Sequence, residues 1–396
     1  MNMNEQMKES EESILHTYNR FPVVFEKGQG CCLYDSEGKE YLDFAAGIAV
    51  NSLGYHYPGY DEALKEQIDK LMHISNLYYN EPIIEAGAKL VKASKMSKAF
   101  FTNSGTEAIE GALKAAKKYA YVRDGHADHE IIAMNHSFHG RSIGALSVTG
   151  TAHYREPFEP LMGGVKFADF NDLESVKAQI TDKTCAIITE VVQGEGGIYP
   201  AKKEFLEGLR QICDEKDIML IFDEIQCGMG RTGHYFAWQA YGVQPDIMTS
   251  AKALGCGVPV GAFVLNEKAA KASLEPGDHG TTYGGNPFVC AAVSKVFDIY
   301  ENDKIIEHVQ EMTPYLEQKL DEIVAKHECA ATRRGMGFMQ GIVIQGRPVG
   351  EVVKAALAKG LLVISAGSDV LRIVPPLVIT KEHIDKMAAI LDECME

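Results

Sequence analysis

From about residue 85 to residue 265, short apolar runs alternate with longer stretches of helical periodicity, and that alternation admits few folds. The runs are Ala99–Thr102, Glu130–Met134, Ala186–Thr189, Ile218–Phe222, Ile247–Thr249 and Gly261–Leu265. Between them apolar residues recur every three or four positions, as at Ala108, Ala112, Ala115 and Tyr119. Strand and helix in alternation predict an α/β domain with a mostly parallel sheet and helices on both faces. At 396 residues and 46% hydrophobic, the chain can bury a large core and has the length for two or three domains.

The two ends read differently. Short strands are expected around Cys31–Tyr34 and Tyr41–Phe44, separated by a turn at Asp35-Ser-Glu-Gly38. Beyond Pro287 a long helical pattern is followed by strands near Phe338–Ile344 and Leu371–Val374. Both ends are expected to pack together as a smaller α+β domain. The expected division is residues 1–55 joining the small domain, 56–297 as the large domain, and 298–396 as the C-terminal part of the small one. Internal repeats, low-complexity tracts and a Pro/Gly/Ser linker are absent from the sequence.

A formal net charge of -16, with no Lys/Arg-rich run, repels a polyanion and argues against nucleic acid as a partner. The N-terminal MNMNEQMKESEES is polar and acidic, and no run of about 18 apolar residues occurs, so neither export nor membrane insertion is expected. Nine scattered cysteines without a C-x-x-C pair fit reduced thiols in a cytosol. The H-x-x-H pairs His126/His129 and His136/His139 lack a third ligand at a zinc-like spacing, so no metal is expected.

Three segments carry chemistry. In Thr102-Asn-Ser-Gly-Thr-Glu107 a strand ends and a helix begins, which leaves backbone N–H groups free to hold an anion, with Ser104 and Thr106 as added hydroxyl donors. A plain capping box, Ser104-x-x-Glu107, fits the same residues. Ile218-Met-Leu-Ile-Phe-Asp223 delivers a carboxylate to the carboxyl end of a strand, where ligands of open α/β sheets bind. Asp223 can pair with a protonated ring nitrogen there or merely cap a helix. In Asp246-Ile-Met-Thr-Ser-Ala-Lys-Ala-Leu-Gly-Cys-Gly257, Lys252 stands among small residues that leave room for a planar ring. Burial in such surroundings lowers an amine's pKa and makes it nucleophilic. Gly228-Met-Gly-Arg-Thr-Gly233 matches G-x-G-x-x-G but neither follows its strand directly nor clearly opens a helix, which argues against a dinucleotide site.

A phosphate cradle, an acid at a strand end and a lysine in a small-residue turn, in that order, resemble fold-type I pyridoxal-phosphate enzymes. Over nearly its whole length the chain resembles class-III aminotransferases, and among them those acting on acetylornithine. The resemblance lies in Thr17-Tyr-Asn-Arg-Phe-Pro22, Tyr41-Leu-Asp-Phe-Ala-Ala-Gly-Ile-Ala-Val-Asn51, Asn103-Ser-Gly-Thr-Glu-Ala108, Ser137-Phe-His-Gly-Arg141, Gln193-Gly-Glu-Gly-Gly197, Asp223-Glu-Ile-Gln226 and Gly280-Thr-Thr-Tyr-Gly-Gly-Asn-Pro287. It implies pyridoxal 5'-phosphate as cofactor. Ser104, Gly105 and Thr106 would lie at its phosphate, Phe138 on its ring, Asp223 at the ring nitrogen, Gln226 at the ring hydroxyl and Lys252 on the carbonyl carbon.

The same resemblance gives Arg141 the carboxylate of the amino donor, a task suited to a bidentate guanidinium. It makes Glu195 and Arg372 a switch in which Arg372 binds the carboxylate of glutamate or 2-oxoglutarate when Glu195 moves aside. A structural ion pair and, for Phe138, an ordinary core position fit those residues too. The implied reaction moves the terminal amino group of N2-acetylornithine to 2-oxoglutarate, giving N-acetylglutamate 5-semialdehyde and glutamate. Succinylornithine, ornithine and 4-aminobutyrate are the rival donors; Gly47, where ornithine-specific relatives tend to carry an aromatic, favours an acylated one. The family's two-fold dimer would put Thr282 at the partner's cofactor phosphate and Thr281 in its substrate pocket, against the alternative of a plain surface loop. Val191-Val192, Tyr55-His56-Tyr57 and Cys256 depart from the family pattern.

Overall fold

The computed structural model describes residues 2–396. Its centre is a seven-stranded sheet in the order Lys98–Thr102, Gly261–Leu265, Ile247–Ser250, Met219–Asp223, Thr184–Glu190, Glu130–Met134, Val165–Ala168. Only Gly261–Leu265 runs against its neighbours; the remaining pairings are parallel. Thr184–Glu190 and Met219–Asp223 are buried along their whole length, as parallel strands covered on both faces must be. Successive side chains feed opposite cores: Leu220 and Phe222 enter one, Met219 and Ile221 the other. The helix Gly105–Asp124 covers the second face with Ile109, Ala112, Ala116 and Ala120.

All six strands expected from the apolar runs occur in this sheet. The seventh, Val165–Ala168, has no such run: it is a four-residue edge strand interrupted by Lys166, the kind of residue that blunts a sheet edge.

The two ends of the chain meet in a separate four-stranded sheet, where Leu361 and Leu362 pair in parallel with Leu42 and Asp43 beside the hairpin Cys32–Asp35 and Glu40–Asp43. A further sheet joins Ala330–Met336, Met339–Ile344, Val370–Ile373 and Ile364–Ala366. The helices Pro287–Asn302 and Ile305–Lys326 lead into it; Asn286 caps the first through the Val289 N–H, with Pro287 in its first turn. No helix among the described residues is long and apolar enough to cross a membrane.

The Gly228–Gly233 stretch forms a turn with positive φ at Met229, Gly230 and Gly233, and no helix opens on it. Its Arg231 is buried and donates to the carbonyls of Phe338 and Pro375, so the turn holds the C-terminal segment. Ala46–Ala49 is a left-handed turn, φ between +47° and +66° at all four residues, a conformation costly for L-residues. The Asp43 carboxylate anchors its entry by accepting the Ala45 and Ala46 N–H groups.

Candidate active site

The carboxyl ends of the parallel strands open into a cavity of about 490 Å³. Strand register builds its floor: Asp223 pairs with Glu190 on one neighbour and Thr249 on the other, so three polar residues stand in a row at one sheet edge. Ser104, Gly105 and Thr106 line the cavity from the first turn of the helix Gly105–Asp124, Phe138 and Arg141 from the loop after Glu130–Met134, and Glu195, Gln226 and Lys252 from three further loops.

Ser104 is the N-cap of that helix and its hydroxyl accepts the Glu107 N–H at 3.3 Å. The reciprocal half of a capping box is missing, because Glu107 accepts instead from the backbone and side chain of Asn103. The Thr106 hydroxyl is likewise engaged, with Ser142 at 2.7 Å. The Gly105 and Thr106 amides have no acceptor among the described residues and lie at the positive end of a 20-residue helix. An anion placed here would therefore meet two free backbone donors beside hydroxyls that already have partners.

Asp223 is buried and heavily partnered. Its Oδ1 accepts from the Thr249 hydroxyl at 3.1 Å and the Ile225 N–H at 3.0 Å, and its Oδ2 lies 2.7 Å from Nδ1 of His139. His139 is itself buried, and its Nε2 has no partner among the described residues. Sequence reasoning grouped this histidine with an H-x-x-H pair and missed its contact with Asp223; its place two residues before Arg141, in the Ser137–Arg141 stretch, was the available signal. Burial, then the charge of Asp223, pushes the Glu190 carboxyl well up, while the Phe138 and Gly194 N–H groups donate to it.

Lys252 follows Ile247–Ser250 and starts a short 3-10 turn with φ +49°, a strained angle for a lysine at a cavity wall. Burial pushes its pKa down to about 8, against the pull of Glu195. Arg372, in Val370–Ile373, reaches Glu195 at 2.5 Å and Gln226 at 3.2 Å, and Gln226 donates to Glu195 at 3.3 Å. Burial raises the Glu195 carboxyl, but Arg372, Lys252 and Gln226 together hold it below its ordinary value. Glu195 thus closes over Arg372, which does not itself line the cavity.

Arg141 has no carboxylate or hydrogen-bond partner among the described residues; its guanidinium lies 5.3 Å from the Phe138 ring centroid and 4.0 Å from that of Tyr154. Thr281 and Thr282 line no part of this cavity. Thr281 accepts from Asn103 at 3.1 Å and Thr282 is exposed. Gly47 also lies off the cavity wall, where Val50 stands instead, and its φ of +63° gives a backbone reason for the glycine.

Of the three departures from the family pattern, Cys256 has φ +44° and accepts the Leu53 N–H, Tyr55 donates to Asp43 at 2.7 Å, and Val192 lines the cavity. The fold does bring a third possible ligand, Asp124, to His126 and His129. Arg123 forks both oxygens of that carboxylate, leaving it neutralised without an ion.

The family model for class-III aminotransferases matches residues 14–395. Acetylornithine aminotransferase of Clostridium acetobutylicum is 48% identical over 98% of this chain and 100% of its own length. Succinylornithine transaminase of Yersinia pseudotuberculosis is 44% identical over 94% of this chain and 92% of its own. Among solved structures, ornithine aminotransferase from Toxoplasma gondii, described with partial occupancy of PLP at its active site, superimposes with a TM-score of 0.95 at 28% identity, covering 100% of this chain and 94% of that one. A shared cavity that unites a buried acid, an amine of lowered pKa and two open helix amides, on a sequence matched from residue 14 to residue 395, places this chain among the class-III aminotransferases.

Proposed function

We propose that the chain transfers the terminal amino group of N2-acetylornithine to 2-oxoglutarate, releasing N-acetylglutamate 5-semialdehyde and glutamate. The observation that carries this reading is the convergence of Lys252, Asp223 and the Gly105 and Thr106 amides on one cavity. The donor is supported by the near full-length similarity to an acetylornithine aminotransferase. Succinylornithine is the second reading, favoured by the 44% identical transaminase.

Class-III aminotransferases use pyridoxal 5'-phosphate, and the residues present fit it: two partnerless helix amides for the phosphate, the Phe138 ring on the wall, Asp223 at the sheet edge and Lys252 for covalent attachment. When bound, the cofactor acts as an electron sink for the carbon that bears the amine. Lys252, with a pKa near 8, can hold or release a proton at neutral pH and so shuttle it at that carbon. Asp223, held by Thr249, Ile225 and His139, keeps its carboxyl group in a fixed place for the ring nitrogen. Arg141 takes the donor's carboxylate. Arg372 takes a carboxylate of 2-oxoglutarate or glutamate once Glu195 swings away, and Gln226 hydrogen-bonds both members of the pair.

The enzyme works as a homodimer in which Thr282 reaches the partner's cofactor phosphate and Thr281 its substrate pocket. Exposed Leu77, Tyr78 and Tyr79, at 87%, 64% and 96%, support a covering subunit. The pairing of Leu361 with Leu42 supports residues 1–55 and 298–396 as one small domain against 56–297. Nine unbridged cysteines support a reducing, cytosolic setting.

Steady-state rates on acetylornithine, succinylornithine, ornithine and 4-aminobutyrate test the reading, and acetylornithine is expected to give the highest kcat/KM. A higher value for any other donor overturns it. Lys252→Ala should fold and lose at least about a thousandfold in kcat; wild-type turnover by that variant would remove the lysine from the mechanism.

A further inference from the structure

Arg141 is unusual in this cavity: an exposed guanidinium with no acid beside it, kept in place by aromatic faces alone. Of the two rings, Tyr154 is the nearer, 4.0 Å from the guanidinium carbon against 5.3 Å for Phe138. The rings meet edge to face, with centroids 5.9 Å apart and planes at 82°, so they form a corner into which the guanidinium fits. Tyr154 belongs to the one-turn helix Ala152–Arg155, well away in sequence from the Ser137–Arg141 stretch, and no motif singles it out. It lines a second cavity, of about 960 Å³, that shares Glu195 with the first. The Tyr154 hydroxyl makes no hydrogen bond among the described residues, so the ring is what the site uses.

A free arginine side chain samples many rotamers, and ordering it on binding costs affinity. A cation held over a ring is ordered beforehand without losing its charge, because the ring neutralises none of its donors. An acid in Tyr154's place would order the guanidinium equally well but would compete with an incoming carboxylate.

We propose that Tyr154 is a positioning residue for the amino donor, its ring holding Arg141 against Phe138 so that the guanidinium fork faces the donor carboxylate. This rests on the reading of Arg141 as the donor-carboxylate anchor.

The test uses the cofactor-loaded enzyme with N2-acetylornithine and 2-oxoglutarate as varied substrates. Tyr154→Leu is expected to raise the acetylornithine KM about fivefold, with kcat unchanged. Tyr154→Phe should retain wild-type values, and losses in that variant would assign the role to the hydroxyl and overturn the proposal. Arg141→Ala should raise the acetylornithine KM more strongly, and adding Tyr154→Leu to it should change nothing further. Additive effects in the double variant would mean that Tyr154 acts on the substrate independently of Arg141. An unchanged acetylornithine KM in Tyr154→Leu beside a raised one in Arg141→Ala overturns this inference and leaves the anchor in place. Unchanged affinity in Arg141→Ala, or a wild-type enzyme that does not turn over acetylornithine, removes the reading on which the inference stands. A lowered kcat in Tyr154→Leu would show general disorder of the site and also count against it.

Discussion

Lys252 is a residue that the fold holds at a cost. In the unfolded chain its amine titrates near 10.5, and in the folded protein burial brings it to about 8. Below pH 8 both states carry the proton and the cost of covering the charge is present in full. Between pH 8 and 10.5 the unfolded chain keeps a proton that the folded one has lost, so stability climbs with pH across that window. Lys252→Met should therefore stabilise the cofactor-free protein at pH 7 by about 2 kcal/mol, discounted for the partial exposure of the side chain. The advantage should vanish by pH 10.5. Denaturant titrations of both proteins at pH 7, 9 and 10.5 check this, and a gap that is constant with pH would mean that the lysine is not strained by burial.

The helix Gly105–Asp124 serves the site at one end and the sheet along its length. At its start, chain direction alone exposes the Gly105 and Thr106 amides to the cavity. At its middle, Gly111 lies against the Phe263 ring, which is buried and stacked on Phe100 with centroids 5.1 Å apart. In an isolated helix Gly→Ala gains about 1 kcal/mol. Here a Cβ has no room, and overpacking of about 1–3 kcal/mol outweighs that gain. Gly111→Ala should thus lower stability by a net of up to about 2 kcal/mol in chemical denaturation, with cofactor retention reduced because the same helix carries the proposed phosphate cradle. A stabilised variant would show that the helix can shift away from the sheet freely.

For the whole molecule, the reading of a shared site predicts complementation. A Lys252→Ala chain keeps its Gly280–Asn286 loop, and a Thr282→Glu chain keeps its lysine, so each homodimer is inactive for a different reason. A hybrid has one site with an intact lysine facing an intact loop. Random mixing should restore about a quarter of the wild-type activity per chain. Hybrids confirmed by mass and devoid of activity would assign the loop to its own subunit's surface.

What was legible in the sequence was whatever depends on neighbours along the chain. Apolar runs of strand length located six of the seven sheet strands, and the strand-to-helix junction at Ser104 marked the open amides. The family resemblance supplied the roles proposed for Asp223, Lys252 and the Glu195–Arg372 pair, and nine of the residues it named line one cavity. Hidden in the sequence were contacts made by folding. His139 meets Asp223 across 84 residues, and the Thr106 hydroxyl is taken by Ser142 across 36. Gly47 sits in a left-handed turn shared with Ala46, Ile48 and Ala49. The strand Val165–Ala168 owes its pairing to a neighbour instead of its own apolar content. The physical reason is range: periodicity and capping report on groups a few residues apart, whereas a side chain's hydrogen-bond partners and the direction in which it points are fixed only when distant segments pack.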